Sequence, residues 1–403
     1  MAWEQIPTLY RSGTWTRLAG LRADPLVNSG ATPEATTCLS RGKNAAPMSL
    51  YGPEAPAADT VRRTRVGFAP EPENMRSVDV IVVNYNGGAY LARAIGALQA
   101  QVFRDFRIIV VDNDSDDGSV DLLPESDIPM QIVRSPHNIG FAAANNLALL
   151  TCVSAPWVAL LNPDAFPDPE WLDSLVSASR QHPTFSGFGC HMRAADDSRR
   201  LDGVGDVYHL SGLYWREGHG CSDSAAFSTS HEIFSPCAAA ALYRASDLRL
   251  VGGFDEDFFC YGEDVDLGFR LRLCGKRFLY VPAAKVAHVG SGLTGVDSDF
   301  AIYHGHRNLV WTYVKNVPGI LFWVCLPVHL LMNMVALGVF AGRGRGRVLW
   351  RAKIDAVRGL PRVWAKRRSV QEQRRATVRA IWRVMNRGLA RRRCPTPPPA
   401  GGV

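Results

Sequence analysis

The run GGFDEDFFCYGEDVDLGFRLRLCG, Gly252 to Gly275, sets Glu263, Asp264 and Asp266 just behind Phe254, Phe258, Phe259 and Tyr261. Carboxylates beside aromatic walls either cap a helix or carry a raised pKa and handle protons. A second group of polar residues recurs after apolar runs: Asn84-Tyr85-Asn86, Asp112-Asn113, His137-Asn138 and Asn162-Pro163-Asp164. One such cluster is an ordinary loop. Four at the carboxyl ends of candidate parallel strands mark the edge where open α/β sheets bind ligands. Gly87 and Gly140 sit where a backbone could approach a phosphate. Neither G-x-G-x-x-G nor G-x-x-x-x-G-K-[ST] occurs, which argues against a dinucleotide fold and a P-loop.

Several of these residues also have plainer readings. The loop DNDSDDGS begins like a calcium loop, but Asp117 stands where that loop needs Gly and Leu123 where it needs Glu. A solvated helix-capping turn is its alternative. The NPD stretch suits an Asn-Pro turn, and His288, closing VPAAKVAH, suits either a structural histidine or a metal ligand.

The elements that must position these groups alternate. VDVIVV (Val78–Val83), FRIIVVD (Phe106–Asp112), MQIVRS and WVALLNPD (Trp157–Asp164) read as buried strands. AYLARAIGALQAQ, with Leu91, Ile95 and Leu98 at helical spacing, HNIGFAAANNLALL and DPEWLDSLV read as the intervening helices. Alternation of this kind implies an α/β fold, a mostly parallel sheet with helices on both faces. Within the opening stretch the periodicity conflicts with itself. Val265, Leu267, Phe269, Leu271 and Leu273 alternate as in a strand, whereas Asp266 and Arg270 at i,i+4 and Gly275 as terminator favour a helix.

The motifs VDVIVVNYNGGAYL, IIVVDNDSDDGS, NIGFAAANN, ALLNPDA, the Gly252–Gly275 stretch and AHVGSG occur together over about 77–316. In order and spacing they resemble family 2 glycosyltransferases, and more narrowly the rhamnosyltransferase-like bacterial branch. The resemblance implies a GT-A fold, Rossmann-like, a nucleotide-sugar donor, Mg2+ or Mn2+, and inversion at the anomeric carbon. It assigns Asn84, Tyr85, Asn86, Asp112, Asn138, Gly140 and Asn162 to the donor, Asp164 and His288 to the metal, and Asp264 to the general base. Glu263 and Trp215 are expected on the acceptor side. The chain departs from the family at SPCAAAALYR, where Pro236 and Cys237 replace a usual glycine. The branch points to L-rhamnose from dTDP-L-rhamnose as the sugar transferred and a polyprenyl-diphosphate-linked or polysaccharide acceptor in cell-wall or surface glycan synthesis. Donors carrying galactofuranose, glucose or GlcNAc, a nucleotidyltransferase and an inactive membrane scaffold are the alternatives.

Charge divides the chain. The 403 residues carry a formal +7, yet Arg343 to Arg393 holds 18 Lys+Arg against Asp355 and Glu372, leaving the remainder at −9. The organisation expected is a disordered extension at 1–75, a GT-A domain at 76–316, a membrane-embedded or re-entrant segment at 317–342 and a basic amphipathic tail at 343–403. Residues 317–342 are long and apolar enough for a bilayer, but basic residues flank both sides, which favours a re-entrant or interfacial hairpin over one span. The Arg-rich tail with Trp350, Trp364 and Trp382 suits anionic lipid rather than nucleic acid, since no recognition module is visible. A membrane surface contacted through 317–393, at the cytoplasmic face of the bacterial inner membrane, is the expected setting. The nine cysteines are scattered, without a C-x-x-C, which argues against a disulfide framework or structural zinc and fits a reducing cytosol.

Overall fold

The computed structural model describes residues 76–290, 298–388 and 394; the expected extension at 1–75 lies outside the described residues. In chain order, the first half forms β1 (Val78–Asn84), α1 (Ala89–Gln99), β2 (Phe106–Asp112), β3 (Met130–Arg134), α2 (Gly140–Thr151) and β4 (Trp157–Leu161). There follow β5 (Ala165–Pro167), α3 (Trp171–Gln181), β6 (Gly187–Ala194), β7 (Leu201–Gly203), β8 (Asp206–Tyr208) and β9 (Tyr214–Arg216). Then come β10 (Glu232–Ile233), β11 (Ala240–Arg244), α4 (Ala245–Leu250), α5 (Glu263–Leu273) and β12 (Phe278–His288).

The apolar runs form strands because both of their faces are covered. All of β1 is buried. Val78, Val80 and Val82 pack with Leu91, Ile95 and Trp171, while Ile81 and Val83 pack with Ala144, Ala148 and Leu267 on the opposite face. Strands β3, β2, β1 and β4 are parallel neighbours, and Asn84 pairs in register with Asp112. That register brings the polar strand ends to one edge. Beyond β4 the sheet becomes mixed: β11 runs antiparallel to both β4 and β6, and β12 runs parallel to β6. Strand β4 ends at Leu161 rather than Asp164, because Asn162 to Asp164 turns into β5.

Helix α5 resolves the conflict in the sequence. Leu267 and Leu271 face the sheet core, whereas Val265, Phe269 and Leu273 face a separate cluster with Trp311, Tyr313 and Val363. Two i,i+4 stripes on opposite faces of one buried helix mimic strand alternation. The Asp266–Arg270 pair forms at 2.8 Å, and Gly275 follows the helix with φ 83°.

The C-terminal region is helical: α6 (Asp299–Asn316), α7 (Gly319–Gly342), α8 (Gly346–Arg358), α9 (Leu360–Glu372) and α10 (Val378–Val384). Two expectations are corrected here. Residues 319–342 form one continuous helix through Pro327, not a hairpin. One face of it is fastened to the domain by Leu321, Phe322, Cys325, His329 and Phe340, so no turn is needed to bury it. Cys221 and Cys394 form a disulfide across 173 residues, a pairing that no local spacing announces. Such a bond persists in oxidising surroundings and opens to a thiol pair in a reducing cytosol.

Candidate functional site

At the carboxyl edge of β1 and β2, Asp112 lines a cleft of about 210 Å³ with Ser115, Asp116, Ser119 and Arg134. Arg134 Nη1 donates to Asp112 Oδ2 at 3.0 Å. Asn84 is wholly buried and donates to the hydroxyls of Ser115 and Ser119, both at 2.9 Å, so it shapes the acidic loop from beneath. Asn86 Oδ1 accepts from the Asp116 N–H, and Tyr85 is 45% exposed at the rim. Asn138 Oδ1 accepts from Asn113 Nδ2 and from the Gly140 N–H, both at 2.9 Å, capping the entry to α2.

The expected metal residues meet through strand pairing. β12 lies antiparallel to β5, with His288 opposite Ala165, and this sets His288 Nε2 3.3 Å from Asp164 Oδ1. His288 Nε2 is buried without a hydrogen-bond partner, while Nδ1 is held by Asp202 Oδ2 at 2.7 Å. A ligand-ready nitrogen facing a carboxylate, with the other nitrogen fixed by a second carboxylate, fits a divalent cation. Burial opposes the imidazolium, but Asp202 and then Asp164 outweigh it and raise the His288 pKa to about 9. Burial likewise opposes ionised Asp164, yet the His288 partnership holds its carboxyl below the usual range. An arriving cation would displace that proton. Asn162 Oδ1, one turn away, is also buried and unpaired.

The expected base sits on the other wall. Asp264 is half-buried in the first turn of α5 and accepts from the Ala238 N–H at 3.2 Å. Ala239 O in turn accepts from the Asn162 N–H, so the turn at 236–239 joins the base to the end of β4. Close packing permits this. A Cβ on Gly268 would fall 2.2 Å from Ser235 Cβ, so only glycine lets α5 approach so near. Glu263 is buried with Oε2 unpaired; burial first, and the Asp264 charge second, push its pKa well up. Its surroundings therefore favour the neutral form. Trp215 is half-buried on β9, opposite Val207 and beside His209.

Three residues of this site escaped the sequence reading. Asp206, on β8, lies with Asp264 and Cys237 in a cluster whose ligand atoms fall within 4.8 Å of one another. Burial and then Asp264 push Asp206 well up, and burial pushes the Cys237 thiol up, so a cation there works against two such preferences, whereas at the other pair only the His288 proton opposes it. The Asp164–His288 pair fits a cation better. Arg216, opposite Asp206 in the β8–β9 hairpin, pairs with Asp202 and acts on Asp164, Asp206 and Asp264. Both Asp202 and Asp206 lie in the glycine-rich LDGVGD, which is their only local signal.

The family "Glycosyl transferase family 2" matches residues 79–251. An N-acetylglucosaminyl-diphospho-decaprenol L-rhamnosyltransferase of Mycobacterium tuberculosis is 28% identical over 247 residues, 56% of this chain and 80% of its own length. A pre-mycofactocin glycosyltransferase of the same species is 32% identical over 228 residues, 54% of this chain and 44% of its own. A mannosyltransferase from Pyrobaculum calidifontis, solved with GDP-Man and Mn2+, is 20% identical with a TM-score of 0.46, covering 78% of this chain and 90% of its own. Residues 79–251 thus match a family 2 glycosyltransferase domain, and the chain is similar to a rhamnosyltransferase and to other glycosyltransferases.

Proposed function

We propose that this glycosyltransferase moves L-rhamnose from dTDP-L-rhamnose to a polyprenyl-diphosphate-linked saccharide, with inversion, in cell-wall or surface glycan assembly. The observation that carries the reading is the apposition across the 236–239 turn of a cation-ready pair, Asp164 and His288, and a single carboxylate, Asp264. The name of the relative sharing 80% of its length with this chain supports the rhamnosyl donor and the lipid-diphosphate acceptor.

Glycosyl transfer builds negative charge on the departing diphosphate while the sugar becomes oxocarbenium-like. Asp164 and His288 would hold a divalent cation, Mg2+ or Mn2+, which when bound would supply Lewis-acid stabilisation of the leaving diphosphate. Asp264 accepts the proton of the attacking acceptor hydroxyl. Burial, and next the Asp264 charge, raise the pKa of Glu263 and of Asp206, which favours their neutral forms beside the base. Arg216 adds fixed positive charge to the same wall. One base and one leaving group on opposite sides suffice for direct inversion, whereas a double displacement needs a dedicated nucleophile. Asp112 and the acidic loop take the nucleotide, and Trp215 and Glu263 the acceptor.

The C-terminal helices supply the membrane contact, at the cytoplasmic leaflet. Helix α7 turns Ile320, Trp323, Val324, Leu330, Leu331 and Met334 outward, and Arg343, Arg345 and Arg347 follow it. An exposed apolar stripe ending in arginines suits a helix lying in the plane of an anionic surface. The reading is tested by incubating membranes holding the protein with a panel of labelled nucleotide sugars and lipid acceptors. Transfer of rhamnose, lost in Asp264→Asn and Asp164→Ala, is expected. Full activity in both variants, or no transfer from any donor, refutes it.

A further inference from the structure

The turn that presents Asp264 is one that its own sequence disfavours. Phe259 (φ 63°) and Tyr261 (φ 69°) both occupy the left-handed region, which bulky side chains rarely enter. Gly262, at φ 79°, then leads into α5. Such a backbone persists only where its surroundings over-determine it.

The surroundings are supplied mainly from α6. Asn308 is fully buried, and its Nδ2 lies 2.9 Å from Phe258 O, 2.9 Å from Cys260 O and 2.8 Å from Tyr261 O. Two N–H groups serve three carbonyls, so one bond is shared. Arg307 Nη2 adds bonds to Asp257 O and Phe258 O at 3.2 and 3.0 Å. From the other side, the Ala142 N–H in α2 donates to Phe259 O at 3.2 Å. Gly140 makes room for this: a Cβ there would fall 2.5 Å from the Phe259 ring. Every carbonyl from Asp257 to Tyr261 is thus engaged from outside the turn, three of them by one side chain.

We propose that Asn308 is the positioning residue for the base: by gripping Phe258, Cys260 and Tyr261 it holds the left-handed turn that leads into the first turn of α5 and so fixes Asp264 against the 236–239 turn. The inference rests on the reading of Asp264 as base and assigns a catalytic duty to α6, beyond the 79–251 match. A misplaced base loses rate steeply, since an error of about 1 Å can cost on the order of 100-fold.

The test compares Asn308→Ala, Asp264→Asn and Asn308→Ala/Tyr261→Gly in the full chain, using dTDP-L-rhamnose or whichever panel donor the wild type turns over. Asn308→Ala is expected to lower kcat about 10- to 100-fold with donor KM within about twofold. Tyr261→Gly, which removes the left-handed penalty, is expected to restore part of that loss. If Asn308→Ala does not fold, Asn308→Ser, which keeps one donor, is measured in its place and its kcat should fall several-fold below wild type with donor KM within about twofold. An active Asp264→Asn sinks the base reading itself. With Asp264→Asn inactive, unchanged kcat in the folded Asn308 variant overturns the positioning role. A kcat loss that Tyr261→Gly leaves untouched overturns it as well.

Discussion

Replacing Asp266 by alanine isolates the junction that fastens α5 to the C-terminal helices. The carboxylate is fully buried and is shared by Arg270 Nε at 2.8 Å, Lys315 Nζ at 2.8 Å and Asn316 Nδ2 at 2.7 Å. After its removal Arg270 keeps only the Val251 carbonyl, while Lys315, with a side chain 2% exposed, keeps Asp255 and the face of Phe258. Stripping one partner from a buried pair costs about 3–5 kcal/mol. The surviving Asp255 contact places the expected loss at the lower end, about 3 kcal/mol, and the orphaned Asn316 amide adds roughly 1. The assay is urea unfolding followed by tryptophan fluorescence and far-ultraviolet dichroism, whose transitions must coincide before a free energy is drawn. Asp196→Ala is the control, because that carboxylate is 75% exposed beside Arg200 and should leave the midpoint unmoved. A loss below about 1 kcal/mol for Asp266→Ala would refute the reasoning, since it would mean the buried cations are solvated or re-paired.

Three further outcomes are expected. Asp202→Ala frees His288 Nδ1 and should raise the Mn2+ concentration for half-maximal activity about 10- to 100-fold; an unchanged metal titration rejects Asp202 as the holder of that ring. Glu263 has a folded pKa raised above its unfolded value, so its contribution is fully present below the unfolded pKa and is lost as pH rises through the folded one. Glu263→Gln removes that dependence, and its stability relative to wild type should grow as pH rises above the ordinary carboxylate range in urea titrations; a parallel course in both proteins counts against a raised Glu263. Trp323→Glu/Leu331→Glu alters only the exposed stripe of α7 and should abolish co-sedimentation with vesicles containing anionic lipid. Undiminished pelleting would exclude α7 as the contact.

Much of the frame is legible in the chain. Apolar runs that reach Asn84, Asp112 and Asn162 mark β1, β2 and β4, because a strand buried on both faces is mostly apolar and the charged pair within these runs, Asp79 and Arg107, neutralises itself across β1 and β2. The helix at Glu263–Leu273 is harder, since burial on two sides disguises its period as a strand's. Flanking charge suggests a hairpin where α7 is one helix, because charge says where the ends of a segment lie, not whether one face is packed on the protein. The Cys221–Cys394 pair carries no local pattern at all.

Within the site the division is sharper. Alternation of strand and helix determines the ligand-binding edge, and with it the neighbourhood of Asp112 and Asp164, because crossover connections bring every parallel strand's carboxyl end to one side. Which acids are charged there is a matter of distance and burial between residues remote in sequence. Asp264 meets Asp206, and His288 meets Asp202, only once the β8–β9 hairpin and β7 fold back over the sheet. Desolvation and nearby charge decide each proton, and both exist only in the folded chain.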